Sequence, residues 1–179
     1  WSASLPNPDV KAVSLHLFGD RQNLLIGEWL AKLGNIDADI RRRALTMKDD
    51  GQMVPLINAS CLFLEMDCEF DADCVNGSLE DWKRVRDVLG QLADEFSPLP
   101  DEMLTEEIRH ILNVTEFAVQ KAILRRQFQS SQKMDIRDLV KSMQHIIDQH
   151  RSLWLRRSRA GGLGDSCAHY FKILEDLQA

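Results

Sequence analysis

Five histidines are the residues of this sequence best suited to act as a general base or a metal ligand. They are His16, His110, His145, His150 and His169. Imidazole has an ordinary pKa that lets it take up or release a proton near neutral pH. None of the five stands in an HExxH arrangement, and no His–Cys spacing repeats a zinc pattern. His150 falls on the apolar stripe of a helical segment, which favours a hydrogen-bonded histidine in a core or an interface.

Carboxylates and serines do not complete a reaction centre with these histidines. Glu107 and His110 are spaced as in di-iron carboxylate bundles, but such a site needs a second Glu-x-x-His and two more glutamates from other helices. No GxSxG motif marks a nucleophilic serine. Two adjacent carboxylate pairs near helix ends are interpreted as solvated charges: Asp94 with Glu95, and Asp101 with Glu102. The sequence therefore predicts no catalytic residue, no metal and no cofactor.

The stretch LWLRRSRAGGLGDS, residues 153–166, allows two interpretations. As a helix end, its arginines complement the negative pole of the helix dipole, Gly161 takes the left-handed conformation, and Asp165 or Gly164 caps the next helix. As an anion site, glycine backbone and arginine would hold phosphate or carboxylate, but no GxGxxG or GxxxxGK[ST] spacing is present. The helix end is favoured. The candidate structural or interface residues are Trp154, Arg156, Arg157, Arg159, Gly161, Gly162 and Asp165.

Apolar residues recur at helical spacing through most of the chain. One stripe runs from Leu104 to Ile123 and a second from Ile136 to Trp154, with a connection short enough for an antiparallel hairpin. The sequence predicts an all-α fold: a helical bundle of about six to seven helices, with two long antiparallel helices near the C-terminus. Residues 1–179 are interpreted as a single helical domain, the C-terminal part of a longer chain, with residues 1–6 as a junction segment.

Local signals place the shorter helices. Ser78 with Asp81 begins a helix that Pro98 and Pro100 end, and further helices are predicted over residues 7–18 and from Leu25 to Leu33, the latter closed by Gly34 and Asn35. Residues 36–76 are the least readable. They contain a turn at residues 49–51 and the apolar residues 61–64, which fit either a short strand or a buried helical turn.

Composition and charge limit the classes of partner. The chain of 179 residues has a formal net charge of −6, which provides no global field to attract nucleic acid. No apolar run is long enough for a membrane helix. The four cysteines, Cys61, Cys68, Cys74 and Cys167, match neither a zinc pattern nor a disulfide-rich scaffold, so they are interpreted as buried thiols. A cytoplasmic location is predicted from that interpretation.

The order of several segments resembles the region that follows the catalytic barrel in bacterial β-N-acetylhexosaminidases of glycoside hydrolase family 20. The segments that carry the resemblance are Trp1, residues 15–20 (LHLFGD), 33–35 (LGN), 58–63 (NASCLF) and 153–166. Only the last is distinctive, and it is similar to LWxxRNRxGGLxxS with a proline often before the glycines. Ser158 and Ala160 stand at the places of that asparagine and proline.

The resemblance implies a piece of an enzyme. In that family an Asp–Glu pair of the barrel orients the substrate's acetamido group and supplies the acid, and an all-helical C-terminal domain follows the barrel. It implies a non-catalytic domain here, with the catalytic barrel of the same parent chain and a second copy in a homodimer as partners. Trp1 would stack on the sugar in the intact parent. The chain is too short for a (β/α)₈ barrel and lacks its alternating strands.

Two other interpretations of the sequence stay open. One is a free-standing helical protein-interaction module without enzymatic activity, in which Trp29, Trp82 and Trp154 are core or interface residues. The other is a small helical enzyme or ligand carrier with a pocket between the two long helices, near His145 or His150.

Overall fold

A computed structural model describes Val10, Ala12, Ser14 and Leu15 together with residues 24–47, 51–55, 60–70, 76–129 and 135–178. From Leu24 onward the described residues form seven helices and one two-stranded hairpin. The predicted all-α class and the predicted number of helices are confirmed, with the hairpin as an addition. Contacts divide the chain into two compact units, Trp1–Ile36 and Asp37–Ala179. The single-domain interpretation stays a prediction.

The first unit contains helix α1, Leu24–Gly34. The prediction of a helix closed by Gly34 and Asn35 is confirmed. The Asn35 backbone N–H donates to the Lys32 carbonyl at 3.1 Å, and its side-chain amide donates to the Ala31 carbonyl at 2.9 Å, which satisfies carbonyls at the helix end. The predicted helix over residues 7–18 lies mostly outside the described residues, although the four that are described there are helical. Trp1 and residues 16–20 also lie outside them.

The second unit contains the remaining elements in the order α2, β1, β2 and α3 to α7. They are α2 Ala38–Arg41, β1 Leu45–Met47, β2 Met53–Pro55, α3 Cys61–Asp67, α4 Leu79–Glu95, α5 Glu102–Gln129, α6 Arg137–Arg157 and α7 Leu163–Gln178. Strands β1 and β2 pair antiparallel with Leu45 opposite Pro55 and Met47 opposite Met53, on either side of the predicted turn. The ambiguous residues 61–64 are helical.

The short helix α3 begins at a doubly satisfied N-terminus. Ser60 accepts a hydrogen bond from the Leu62 backbone N–H at 3.1 Å, as an N-cap serine does. The buried carboxylate of Asp37 accepts from the Ser60 hydroxyl at 2.7 Å and from the Cys61 N–H at 2.6 Å. Asp37 therefore fixes the start of α3 against the chain just before α2.

Helix α4 has the start and the end that the sequence predicts. Ser78 and Asp81 form a complete capping box, in which the Ser78 hydroxyl accepts from the Asp81 N–H and the Asp81 carboxylate accepts from the Ser78 N–H. The helix stops at Glu95, ahead of the two prolines. Its inner face is buried and consists of Trp82, Val85, Leu89 and Leu92.

Helices α5, α6 and α7 enclose the main hydrophobic core. Its members are Met66, Phe117, Ala118, Leu139, Met143, Ile146, Ile147, Ile173 and Leu177. Residue numbers rise along α5 as their partners fall along α6: Glu106 pairs with Arg156, and His110 lies against His150. The two long helices are therefore antiparallel, as predicted. Helix α7 buries Cys167, Ile173 and Leu177, whereas Phe171 is 41% exposed.

A buried ion network joins α3 to α5. The side chain of Glu65 is 1% exposed and that of Arg125 is 0% exposed, and Arg125 Nη1 donates to Glu65 Oε2 at 2.7 Å. Arg126 donates to both oxygens of the same carboxylate, at 2.7 Å to Oε1 and 3.1 Å to Oε2. One carboxylate thus accepts from two guanidinium groups, and the paired geometry offsets the cost of removing these charges from water.

The cations of α5 also capture the backbone that leads from α3 to α4. Lys121 is fully buried, and its ammonium donates to the carbonyls of Met66 at 2.9 Å and Cys68 at 2.6 Å. Arg126 donates to the Gly77 carbonyl at 2.9 Å and to Asn76, and its guanidinium lies 5.1 Å from the centre of the Trp82 ring. Burial lowers the pKa of Lys121. These contacts hold α3, α4 and the backbone at Cys68, Asn76 and Gly77 to one face of α5.

The cysteines differ from the sequence interpretation in one respect. Cys61 and Cys167 are buried free thiols, as expected, but Cys68 is disulfide-bonded. Burial, with the nearby carboxylates of Asp37 and Glu65, raises the pKa of the Cys61 thiol to about 11, so this thiol is unreactive. Disulfides persist in oxidising compartments, so the interpretation of all four cysteines as thiols is wrong at Cys68, and the cytoplasmic location stays a prediction. No helix in the described part of the chain is long and apolar enough to cross a membrane.

We predict that Glu65→Leu lowers the free energy of unfolding by about 3 to 5 kcal/mol, because it leaves two buried guanidinium groups without their shared carboxylate. Urea unfolding followed by circular dichroism measures the change. The matched control is Glu80→Leu on α4, where the exposed Glu80 pairs with Lys83. This control should change stability by less than about 1 kcal/mol. Equal effects of the two variants would contradict the role given to the network.

Candidate functional site

The end of α6 and the start of α7 form a tight helical hairpin. Helix α6 ends at Arg157, where Ser158 has extended backbone and its N–H donates to the Trp154 carbonyl at 2.7 Å. The indole N–H of Trp154 donates to the Arg159 carbonyl at 3.0 Å. The stretch at residues 153–166 is therefore a helix end followed by a helix start, which is the favoured interpretation of the sequence.

Two details of this turn differ from the prediction. The glycine with positive φ is Gly162, at +84°, and Gly161 does not need that conformation. Helix α7 begins at Leu163, so Asp165 lies inside the first turn and is not the cap. The turn closes one residue later than the pattern suggested, and the Trp154 indole N–H bonds to the Arg159 carbonyl within the connection. An acidic residue in the first turn still complements the helix dipole.

The arginines of the turn are engaged by α5. Arg157 forms a two-pronged pair with Glu107, with Nη2 donating to Oε2 at 2.7 Å, and Arg156 pairs with Glu106. These contacts fasten the end of α6 to the start of α5. Because two of the three guanidinium groups already hold carboxylates, the anion-site interpretation of this stretch is not supported.

The same hairpin brings a histidine and a serine together. Gly162 lies opposite Trp154, and one helical turn further from the connection Ser166 lies opposite His150. The Ser166 Oγ is 2.6 Å from His150 Nε2, and His150 Nδ1 is 3.3 Å from His110 Nε2 on α5. His110 Nδ1 is 3.1 Å from the amide oxygen of Gln149. Four polar side chains from three helices thus form one continuous chain.

The amide oxygen of Gln149 determines which group donates and which accepts at each step of this row of hydrogen bonds. It can only accept, and it also receives the Asn113 side-chain N–H at 3.0 Å, so His110 must carry its proton on Nδ1. Neutral His110 then accepts at Nε2 from the Nδ1–H of His150. The remaining nitrogen of His150, Nε2, accepts from the Ser166 hydroxyl. The serine proton therefore points at a free lone pair of imidazole.

Burial keeps both histidines in the neutral form that this arrangement needs. His110 is 9% exposed, and burial lowers its pKa, with the proximity of His150 and His145 acting in the same direction. Burial also lowers the pKa of His150, which is half-buried like Ser166. Tyr170 packs edge-on against His150 with ring centres 5.1 Å apart, and burial raises its pKa. The apolar surroundings thus favour uncharged imidazoles.

The other histidines described lie apart from the chain of hydrogen bonds. His169 contacts Asp67 at 3.4 Å and stacks on Phe63. His145 is exposed and lines a cavity of about 320 Å³ between α5 and α6. Asn113, which donates to Gln149, lines the same cavity. The cavity therefore lies at the Gln149 end of the row of hydrogen-bonded side chains. This is the place where the sequence allowed a pocket.

The prediction of His150 as a hydrogen-bonded histidine is confirmed, but its partner Ser166 was not predicted. The one signal in the sequence is spacing: His150 lies four residues before Trp154, and Ser166 lies four residues after Gly162. This spacing is informative only once it is known that the turn places Gly162 opposite Trp154. Glu107 and His110 do not act together, since Glu107 holds Arg157 and His110 faces Gln149. The described residues contain no cluster of three or more His, Cys, Asp or Glu that could hold a metal ion.

We predict that Gly162→Ala destabilises the protein by about 1 to 2 kcal/mol, because a side chain disfavours positive φ. The added Cβ would lie 3.6 Å from the Trp154 ring, an ordinary contact, so backbone conformation alone causes the loss. Gly161→Ala is the matched control, since nothing lies within 4 Å of its added Cβ and its φ is not positive. Urea unfolding of both variants measures the difference. A larger loss in the Gly161 variant would place the strained residue one position earlier.

We also predict that acidification below the ordinary histidine pKa of 6.5 reduces stability partly through His110. The folded pKa is lowered, so below that pH the unfolded chain binds a proton that the folded chain does not. The stability that neutral His110 contributes is fully present above pH 6.5 and is lost as the pH falls through the pKa of His110 in the folded chain. Urea unfolding at pH 7 and pH 5 should show a smaller loss for His110→Gln than for the parent. A loss in His110→Gln as large as that of the unmutated protein would refute the assignment.

Comparison with known proteins gives no relative from which a function could be transferred. No protein-family model, no curated protein and no solved structure matches the chain. The resemblance to family 20 hexosaminidases therefore rests on the quoted residues alone.

Proposed function

We propose that this chain is a non-catalytic helical accessory or dimerisation domain of a β-N-acetylhexosaminidase-like glycoside hydrolase. It packs against a catalytic barrel that this sequence does not contain. Glycoside chemistry belongs to the barrel in this proposal, and the helices stabilise it or join two copies. Trp1 would reach the sugar pocket only within the intact parent.

The observation that carries the proposal is the use of residues 153–166. This stretch is the distinctive part of the resemblance, and it serves as a connection between α6 and α7. Gly162 has the left-handed backbone, Trp154 closes the turn, and Arg156 and Arg157 hold carboxylates of α5. Each of these roles is architectural, as expected of a motif that maintains an accessory domain.

The carboxylate pairs also support a non-catalytic role in glycoside cleavage. Asp94 and Glu95 are exposed at the end of α4, and Asp101 and Glu102 are exposed at the start of α5. Asp101 accepts a hydrogen bond from the Leu104 N–H at 3.0 Å, as a helix cap does. An acid for glycoside cleavage needs a raised pKa in a shielded site. The solvated pairs described here lack such shielding.

Several large apolar side chains on the second unit are exposed and are available to a barrel or a second copy. They are Phe63, Val88, Ile111, Phe128, Leu155 and Phe171. Phe63 and Leu155 are the most exposed, at 55% and 52%. Such side chains gain stability when a partner removes them from water.

The first test is to read the gene upstream of the codon for Trp1. We expect an open frame of about 200 codons or more that encodes a (β/α)₈ barrel with an adjacent Asp–Glu pair. The encoded product should hydrolyse p-nitrophenyl N-acetyl-β-glucosaminide, and the chain of 179 residues alone should not. A start codon just ahead of Trp1, or turnover by the isolated chain, would contradict the proposal. The first of these results would favour the free-standing interaction module.

In the product that contains the barrel, we predict that Leu155→Asp lowers the midpoint of thermal inactivation of hexosaminidase activity, because a charge would replace an apolar contact. Ser152→Asp, at another exposed position of α6, is the matched control and should leave the midpoint unchanged. Equal midpoints for the two variants would show that Leu155 does not contact the barrel or a second copy.

A further inference from the structure

The hydrogen-bonded chain from Ser166 to Gln149 has the order of groups that activates a serine. The hydroxyl faces the free lone pair of His150 Nε2 at 2.6 Å, and the other nitrogen of His150 is held by His110. A nucleophile bonded to a base, which a third group orients, is the arrangement of serine hydrolases on unrelated folds. Such arrangements are identified by geometry and need no GxSxG motif.

A serine nucleophile and its base must reach solvent, whereas the residue that orients the base can be buried, and Ser166, His150 and His110 differ in exposure in this way. Ser166 and His150 are half-buried and therefore reach solvent, whereas His110 is 9% exposed and cannot meet a substrate. Ser166 lies in the first turn of α7, where backbone N–H groups have no acceptor within the helix.

We propose that Ser166 and His150 are catalytic residues for the hydrolysis of small activated carboxylic esters, with His110 as the positioning residue. Small acyl groups fit best because the rings of Tyr170 and Trp154 pack against His150, with centres 5.1 and 6.1 Å from it. This ester hydrolysis is separate from glycoside cleavage, in which the chain remains non-catalytic under the proposed function, and it needs no barrel.

The reaction balances with water as the only co-reactant. The Ser166 Oγ attacks the ester carbonyl carbon while its proton passes to His150 Nε2. The carbonyl electron pair moves to oxygen, returns, and expels the alkoxide, which takes the proton from His150. Water then attacks the acyl-serine, gives a proton to His150, and releases the carboxylic acid as that proton returns to Ser166. His110 is uncharged and stabilises the imidazolium less than a carboxylate would, so turnover is modest.

The direct test is to label the unmutated chain of 179 residues with a fluorophosphonate and to analyse its peptides by mass spectrometry. We expect the label on Ser166, and this result does not depend on any variant folding. Hydrolysis of p-nitrophenyl acetate should fall by about 100-fold or more in Ser166→Ala and in His150→Gln. Circular dichroism melting establishes that each variant is folded.

Matched controls lie on α6 at exposed positions. Ser152→Ala and His145→Gln should leave both labelling and ester hydrolysis unchanged. For the positioning residue, His110→Ala admits water beside His150, so we expect a lower rate and a shift of the half-maximal rate to higher pH. An unchanged pH midpoint in that variant would overturn the role of His110.

The proposal is overturned if the fluorophosphonate does not modify Ser166 in the folded, unmutated chain. It is also overturned if Ser166→Ala keeps the parent's ester hydrolysis while His150→Gln loses it. In that case bare imidazole attacks the ester, and the serine hydroxyl only satisfies a hydrogen bond.

Discussion

The fold of the second unit depends on charges that are buried inside it. Glu65 on α3 accepts from Arg125 and Arg126 on α5, and neither guanidinium has bulk water as an alternative partner. A single unpaired charge there would cost several kcal/mol, so α3 must remain docked for α5 to keep its face. A seven-residue helix such as α3 would be marginal in isolation. Its position is therefore a consequence of this network, aided by the Asp37 contact at its start.

The opposite end of α5 positions the residues of the candidate functional site. Glu106 and Glu107 hold the end of α6, and one turn later His110 meets His150. The hairpin at Gly162 then delivers Ser166 to the other side of His150. The hydrogen-bonded chain thus rests on helix positions, which hold side chains more rigidly than loops do. The same helix provides the structural network at one end and the polar chain at the other.

Local signals in the sequence predicted the parts of the fold that depend on local physics. The Ser78 capping box, the proline stop after α4 and the two long stripes all give helices where expected, because caps and periodicity act within one or two turns. The buried cations could not be predicted this way. Arg125 and Arg126 look like a solvated face until Glu65, about 60 residues away, is known to meet them. Lys121 does so until its contacts with the carbonyls of Met66 and Cys68 are known. Ser166 was missed for the same reason, since its partner depends on where the turn closes.

Native-state hydrogen exchange measures most directly whether the buried network ties α3 to α5. We predict that the amides of α3, such as those of Leu64 and Met66, open with the same free energy as those of Val119 and Ala122 in α5, within about 1 kcal/mol. That result would mean that α3 is released only when the second unit unfolds as a whole. Exchange of the α3 amides through an opening that costs several kcal/mol less than that of α5 would contradict it. Glu65, Arg125 and Arg126 would then be a local contact on which the bundle does not depend.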